Sequence, residues 1–328
     1  MAWIVGLCAI ALAFGVAGGL AFLLYRADRY EKEPVLWVVG MFVWGALIAT
    51  FGSAMLTWAG ESLAAFVLPP GPVDGFSTVL LAPAIEESFK GLAVLAVLWW
   101  NRHEIHGLMD GVLYAAMAGL GFEAVENALY LVSALVEGGL ASLAMLTVLR
   151  VGVFGFTHAL FTSMVGLGVA VARMYGRVLA WLAVPAGWGA AVLLHMIHNA
   201  SVSAGNALCL IALGSDWLGL ALVLGLLVLA LRWERRWLAH HLQDEVRAGV
   251  IHMGHYHAAL SPKRRAQAMR TARQQGRGAQ ARAFYETLSE LAYLKAQAQR
   301  TPHDRSLQAR IEAWRERLRA WAGQVPFG

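Results

Sequence analysis

The chain has 328 residues, 59% of them hydrophobic and only 14% charged, where a soluble globular protein carries nearer a quarter. That balance argues against a soluble domain, and the apolar runs are continuous rather than alternating, which argues against a membrane β-barrel. Residues 1–231 hold 8 Lys and Arg against 13 Asp and Glu, and residues 232–328 hold 18 against 8, so an apolar body (1–231) precedes a basic polar tail (232–328).

In chain order, the first apolar stretch contains no Lys or Arg until Arg26, which reads as a first span rather than a cleaved signal peptide. Seven spans follow from the hydropathy pattern, near 3–25, 35–58, 77–100, 109–134, 148–172, 178–203 and 207–231. The sixth and seventh are joined tightly enough for one of them to be a broken or re-entrant pair, and an eight-helix reading stays open. Basic residues alternate cleanly. Arg26, Arg29 and Lys32 follow the first span, Arg102 the third, and Arg173 and Arg177 the fifth, whereas 59–76, 135–147 and 204–216 contain none. The positive-inside rule then places the N-terminus outside and the tail in the cytoplasm of a multi-pass protein of the cell membrane. Cys8 and Cys209 read as two separate buried thiols.

The tail is helical in pattern. Ser261-Pro262 forms an N-cap and first-turn proline, and Phe284, Leu288, Leu291 and Leu294 recur at helical spacing, as do Leu307, Ile311, Trp314, Leu318 and Trp321. Thr301-Pro302 separates the two stretches, which predicts a helical hairpin. Its cations suit anionic lipid headgroups or a protein partner, or form a merely solvated face. No nucleic-acid motif accompanies them, so nucleic acid is not an expected partner. His252, His255 and His257 read as ordinary tail histidines rather than a metal site.

The informative residues are polar ones inside the spans, where an ionisable group costs at least about 2.5–3.5 kcal/mol at the bilayer centre. The third span carries Pro83, Glu86, Glu87 and Lys90, the fourth Glu123, Glu126 and Asn127, the fifth His158, and the sixth His195, His198 and Asn199. At 1.5 Å per residue the topology puts Glu86 and Glu87 about 14 Å from the outer surface, Glu126 about 12 Å, His158 about 15 Å, His195 about 12 Å and Asn199 about 6 Å. Helices running in alternating directions thus bring polar groups to one level in the outer half of the bilayer. Glu86 and Lys90 are spaced i,i+4 for an ion pair. Arg150, at the outer end of the fifth span, reads as an interface anchor, as do Trp58, Trp99 and Trp100 near span ends. The glycines of the fourth span read as close-packing positions.

Peptide hydrolysis in a membrane needs a held water, a base and donors for the oxyanion. A carboxylate in a low-dielectric site suits the base. Imidazoles and an Asn amide suit the rest, and His158 and His195 with Glu126 also make a three-ligand zinc set with an open position. Polar glue between helices is the plain alternative for all of these residues.

The motifs Glu86-Glu87-x-x-Lys90, Phe122-x-x-x-Glu126-Asn127, an isolated span His158, and His195 with Asn199 resemble those of the PrsW family of intramembrane proteases. Glu33-Pro34, Met109-Asp110-Gly111 and Gly119-Leu120-Gly121-Phe122 fit the same resemblance, which covers about residues 26–203 in order. It implies a metalloprotease that cuts a membrane-anchored protein, such as a single-span anti-sigma factor, outside the cytoplasmic membrane. The chain is also similar to the CAAX prenyl endopeptidases through Glu86-Glu87, Phe154 to His158 and His195 to Asn199. That resemblance implies a Glu-activated water with His and Asn as oxyanion donors and no metal. The expectation is therefore an all-α polytopic membrane protease. Glu86, Glu87, Glu126, His158, His195 and Asn199 would act catalytically, Lys90, Asn127, Glu123 and His198 would support them, and the mechanism would be zinc-based or metal-free. An ion or proton transporter and a scaffold recruiting partners through its tail are the other readings. The lack of a detectable internal repeat weighs against the transporter.

Overall fold

The computed structural model describes residues 2–28, 33–67, 69–100, 105, 107–175, 177–300 and 305–327. The sequence-based readings at Arg29, Lys32, Arg102 and Thr301-Pro302, and the side chain of Arg177, lie outside the described residues.

Every regular element among the described residues is helical. We number them α1 (Ala2–Ala27), α2 (Val35–Ala64, with a π-helical stretch Trp44–Ala49), α3 (Pro70–Phe76, a π-helical stretch Ser77–Leu81, then Ala82–Trp100) and α4 (Leu108–Leu146). A π-helical stretch Thr147–Val153 leads into α5 (Thr157–Tyr175), followed by α6 (Arg177–Ala204), α7 (Cys209–Arg247), α8 (Met253–Ala259), α9 (Pro262–Gln274), α10 (Gly278–Arg300) and α11 (Arg305–Ala322).

Among the described residues, five helical stretches are long and apolar enough to cross a membrane: Trp3–Ala27, Val35–Ala64, Leu108–Met174, Leu179–Ala204 and Cys209–Arg247. The third is a 67-residue run that contains both α4 and α5. The Ala82–Trp100 part of α3 is not among them and carries three charges, Glu86, Glu87 and Lys90. The chain is a multi-pass membrane protein, and Leu36, Val136, Trp181 and Leu193 are exposed on its surface as lipid solvation allows. Trp58, Trp99 and Trp100 are exposed too. The two thiols are free, as expected, but not both buried: Cys8 is exposed on α1 and Cys209 half-buried, since apolar solvent removes the pressure to hide a small apolar side chain.

The chain forms two compact units, Met1–Ala27 with Glu33–Leu227, and Asp28–Lys32 with Val228–Gly328. In the first, α4 is the central helix, buried on every face from Met109 to Ala124. Small residues allow this. A methyl group at Gly121 would overlap the Phe42 carbonyl oxygen of α2, and one at Gly119 would overlap the His158 carbonyl of α5. Without a hydrophobic driving force between helices in lipid, such close backbone approach supplies much of the packing energy.

The fifth expected span, 148–172, is not one helix. The chain leaves helical geometry at Phe154–Phe156 and restarts at Thr157. Gly155 permits the bend, because a Cβ there would overlap the Val151 carbonyl. His158 therefore stands in a helix's first turn, with its backbone N–H available for a side-chain partner. A second break, at Gly139 in α4 (φ 69°), uses the left-handed region open to glycine.

The second unit has its own core, built from Leu238, Leu242, Phe284, Leu288, Leu291 and Leu318 among others. Ser261 caps α9 as expected, its Oγ accepting from the Arg264 N–H at 3.5 Å. The α10 and α11 stretches pack against each other. Glu245 is buried and receives Lys295 at 2.7 Å and both guanidinium arms of Arg315 at 2.8 and 2.9 Å. His255 is a core histidine: Nδ1 accepts from the His252 N–H at 3.3 Å, so Nε2 donates to the Val325 carbonyl at 2.9 Å.

Candidate active site

Glu87 and Lys90, one turn apart on α3, are wholly buried. Lys90 Nζ donates to Glu87 Oε1 at 2.6 Å and to His158 Nδ1 at 2.8 Å, and lies 4.3 Å from the centroid of the Phe122 ring. Glu86 Oε2 stands 3.9 Å away. The expected i,i+4 ion pair is thus present but long, and a closer i,i+3 pair joins it, because the ammonium gives its donors to Glu87 and to the imidazole of α5. Glu87 is fully engaged: Oε1 also receives His195 Nδ1–H at 3.0 Å, and Oε2 receives the Thr162 hydroxyl at 3.0 Å.

α4 holds the other side of His158. Its Nδ1 accepts from Lys90, so Nε2 carries the proton and donates to Glu126 Oε2 at 2.6 Å. Glu123 Oε2 accepts the His158 backbone N–H at 3.2 Å and the Thr157 hydroxyl at 3.4 Å, while Oε1 accepts from Asn127 Nδ2 at 2.8 Å. A carboxylate at the open N–H groups of a helix start is a favourable pairing, and it fixes where α5 begins.

Arg150 is not an interface anchor. It donates to Glu126 Oε2 at 2.8 Å and to Asn127 Oδ1 at 2.9 Å, and its guanidinium lies 3.8 Å from the Tyr130 ring centroid. Two acceptors one helical residue apart, with no competing water in lipid, draw it inward. Arg150→Met should destabilise the protein by about 2 kcal/mol, the range for lost charge-assisted hydrogen bonds, read from the denaturation midpoint in detergent. A change below about 0.5 kcal/mol, the scale of a surface site, would return Arg150 to the interface.

α6 spreads its polar stripe over three partners. His195 meets Glu87, His198 Nδ1 lies 2.6 Å from Asp216 Oδ2, and Asn199 Nδ2 donates to the Thr78 carbonyl at 2.9 Å. Asn199 and His198 therefore bond to α3 backbone and to α7 rather than to the Glu86–Glu87 pair. Arg150, Thr162 and Asp216 are partners that the sequence reading leaves out. Asp216 carried a legible signal, as the single acid of the 207–231 stretch. Thr162 carried none.

One corner of the cluster is open. Glu86 Oε2 is buried without a hydrogen-bond partner. It faces His195 Nε2 at 3.9 Å, too long for a direct bond. Because Glu87 accepts the Nδ1 proton, His195 Nε2 presents a lone pair to this gap. Glu86, His158 and His195 can offer ligand atoms all within 4.8 Å of one another. One carboxylate and two imidazoles suit a divalent transition metal. Glu86 and His195 already offer free atoms, and His158 joins by releasing one of its two partners. Glu126, the carboxylate grouped with these histidines in the sequence reading, touches His158 but is tied to Arg150.

The family model described as PrsW family intramembrane metalloprotease matches residues 33–233, well over half of the chain. The chain belongs to this family. It is similar to the protease PrsW of Geobacillus kaustophilus, at 32% identity over 157 residues, covering 47% of this chain and 63% of that protein. It is also similar to the protease PrsW of Bacillus subtilis, at 31% over 132 residues, covering 38% and 56%. The chain thus spans little more than half of the curated relatives it matches, and no solved structure matches it. The PrsW-family match takes in α2 to α6 and therefore every residue of the buried cluster, whereas most of the basic tail lies beyond it.

Proposed function

We propose that this chain is an intramembrane endopeptidase that cuts a membrane-anchored protein near the outer leaflet, with water activated at Glu86, by a zinc ion that this carboxylate helps to hold or, without metal, by the carboxylate acting as base. The observation that carries the reading is the buried, unpartnered Glu86 Oε2 facing the lone pair of His195 Nε2. Leaving a buried carboxylate oxygen unsatisfied is costly, and such groups concentrate where chemistry uses them. Glu87 sets the His195 tautomer, Lys90 balances the charge of Glu87, and Glu126, held by Arg150, orients His158. Glu123 and Asn127 position the start of α5. Asn199 ties α6 to α3 and would serve an oxyanion only after leaving Thr78.

Glu86, His158 and His195 would hold a zinc ion, which when bound supplies Lewis-acid polarisation of the carbonyl and an ionisable water. The His195 tautomer favours this role over oxyanion donation, since donation needs a proton on Nε2. The topology that goes with the reading is seven spans, N-terminus outside and tail in the cytoplasm, in the cell membrane. The substrate class is a single-span membrane-anchored protein, of which an anti-sigma factor is an example.

The test is metal content and cleavage measured together on protein reconstituted in nanodiscs. We expect about one zinc per chain, lost with cleavage of a single-span reporter on chelation and restored with it. Metal-free protein that cleaves at the full rate would select the glutamate mechanism. Glu86-dependent proton flux without cleavage would select a transporter.

A further inference from the structure

The tail unit carries a surface that the cluster does not use. Between residues 246 and 285 there is no Asp or Glu, against eight Lys and Arg. Within α9, Ala268 and Ala272 are buried and Met269 is half-buried, which defines the inner face. At 100° per residue, Lys263, Arg264, Arg270 and Arg273 all fall outside that arc, and all four are exposed. Among the described residues none of these four side chains has an acidic partner. On α11, by contrast, Arg310, Arg315 and Arg319 pair with Glu290, Glu245 and Glu312. The face is therefore a block of unneutralised charge.

Its position gives it a ligand. Where this unit begins, α7 carries Arg232, Trp233, Arg235, Arg236 and Trp237 directly after the apolar run, the composition of a bilayer interface. α8 then doubles back along α7, since the Tyr256 hydroxyl donates to the Ala239 carbonyl at 3.4 Å. That carbonyl lies eight residues, about 12 Å, before the end of α7. α8 thus lies beside the stretch of α7 that follows the interfacial belt, and α9 starts three residues after it.

We propose that this face of α9 docks the tail unit on the bilayer surface, with anionic phospholipid headgroups as its ligand. Juxtamembrane clusters of four or more cations are attracted to anionic lipid over about a Debye length. A reader of nucleic acid interleaves aromatic side chains among its cations, and α9 has none. The proposal is independent of the protease reading and stands or falls separately from it.

The experiment uses the full chain with Cys8 and Cys209 replaced by Ala and a donor fluorophore on a cysteine introduced at the exposed Gln274. It is reconstituted in vesicles of phosphatidylcholine alone or with phosphatidylglycerol, each doped with an acceptor lipid. Energy transfer should rise at least about twofold with roughly 30% anionic lipid and return to baseline in high salt. It should also return to baseline when Lys263, Arg264, Arg270 and Arg273 are all changed to Gln. Equal transfer in both lipids, or a rise that salt leaves untouched in the unsubstituted tail, overturns the proposal. So does preferential binding of labelled RNA by the same four residues.

Discussion

Glu86→Gln should leave the protein folded and slow cleavage of a membrane-anchored reporter by roughly 10²–10⁴-fold, the range of a lost general base. The amide keeps the shape of the side chain but neither takes a proton from water nor holds a cation as a carboxylate does. The short hydrogen bonds of the cluster do not depend on Glu86: Lys90 is held by Glu87 and His158, and His195 by Glu87. The denaturation midpoint should therefore barely move while the rate collapses. Initial rates at saturating reporter, measured alongside the midpoint, separate the two effects. Cleavage at the unsubstituted rate in a normally folded variant would remove Glu86 from the chemistry.

Lys90→Met should act the other way, on stability first. The ammonium is fully buried, and so is Glu87, its partner at 2.6 Å. Removing one member of a buried ion pair costs about 3–5 kcal/mol, because the remaining charge loses its compensation in a low-dielectric interior. His158 Nδ1 loses its donor at the same time. Pairing the change with Glu87→Gln should recover much of the loss, since the double variant buries no lone charge. Unfolding in detergent read by circular dichroism is the measurement. A single variant within about 1 kcal/mol of the unsubstituted protein would mean that Lys90 is not the counter-charge the geometry describes.

Arg150 and Lys90 show where reading along the chain stops. Each stands in the sequence as a charge in or beside an apolar run. The i,i+4 spacing pointed Lys90 at Glu86, and the position at a span end pointed Arg150 at the lipid interface. Spacing along one helix states which side chains share a face. It does not state which atom of a neighbouring helix lies 3 Å away, and here His158 gives Lys90 a further, closer partner while Glu126 and Asn127 draw Arg150 inward. The bend at Gly155 is invisible along the chain for a similar reason: its cause is the overlap a Cβ would make with the Val151 carbonyl, which hydropathy does not register.

Asn199 and Glu126 mark the limit inside the site. Both belong to legible motifs, yet Asn199 bonds to the Thr78 carbonyl, and Glu126 is shared between Arg150 and His158. Glu86 stands in the group that can hold a metal.

The sequence by itself determined that the chain is helical and membrane-embedded, because long uncharged runs in lipid must satisfy their backbone internally. It also singled out Glu86, Glu87, His158 and His195, because ionisable residues are too costly in such runs to be there without purpose. Only the tertiary structure decided the pairing: which oxygen of Glu86 stays open, which nitrogen of His195 faces it, and that Glu123 caps the helix bearing His158. Those outcomes depend on glycine contacts that let α4 approach α2 and α5 backbone to backbone, and distances of that kind are a property of packing, not of spacing along the chain.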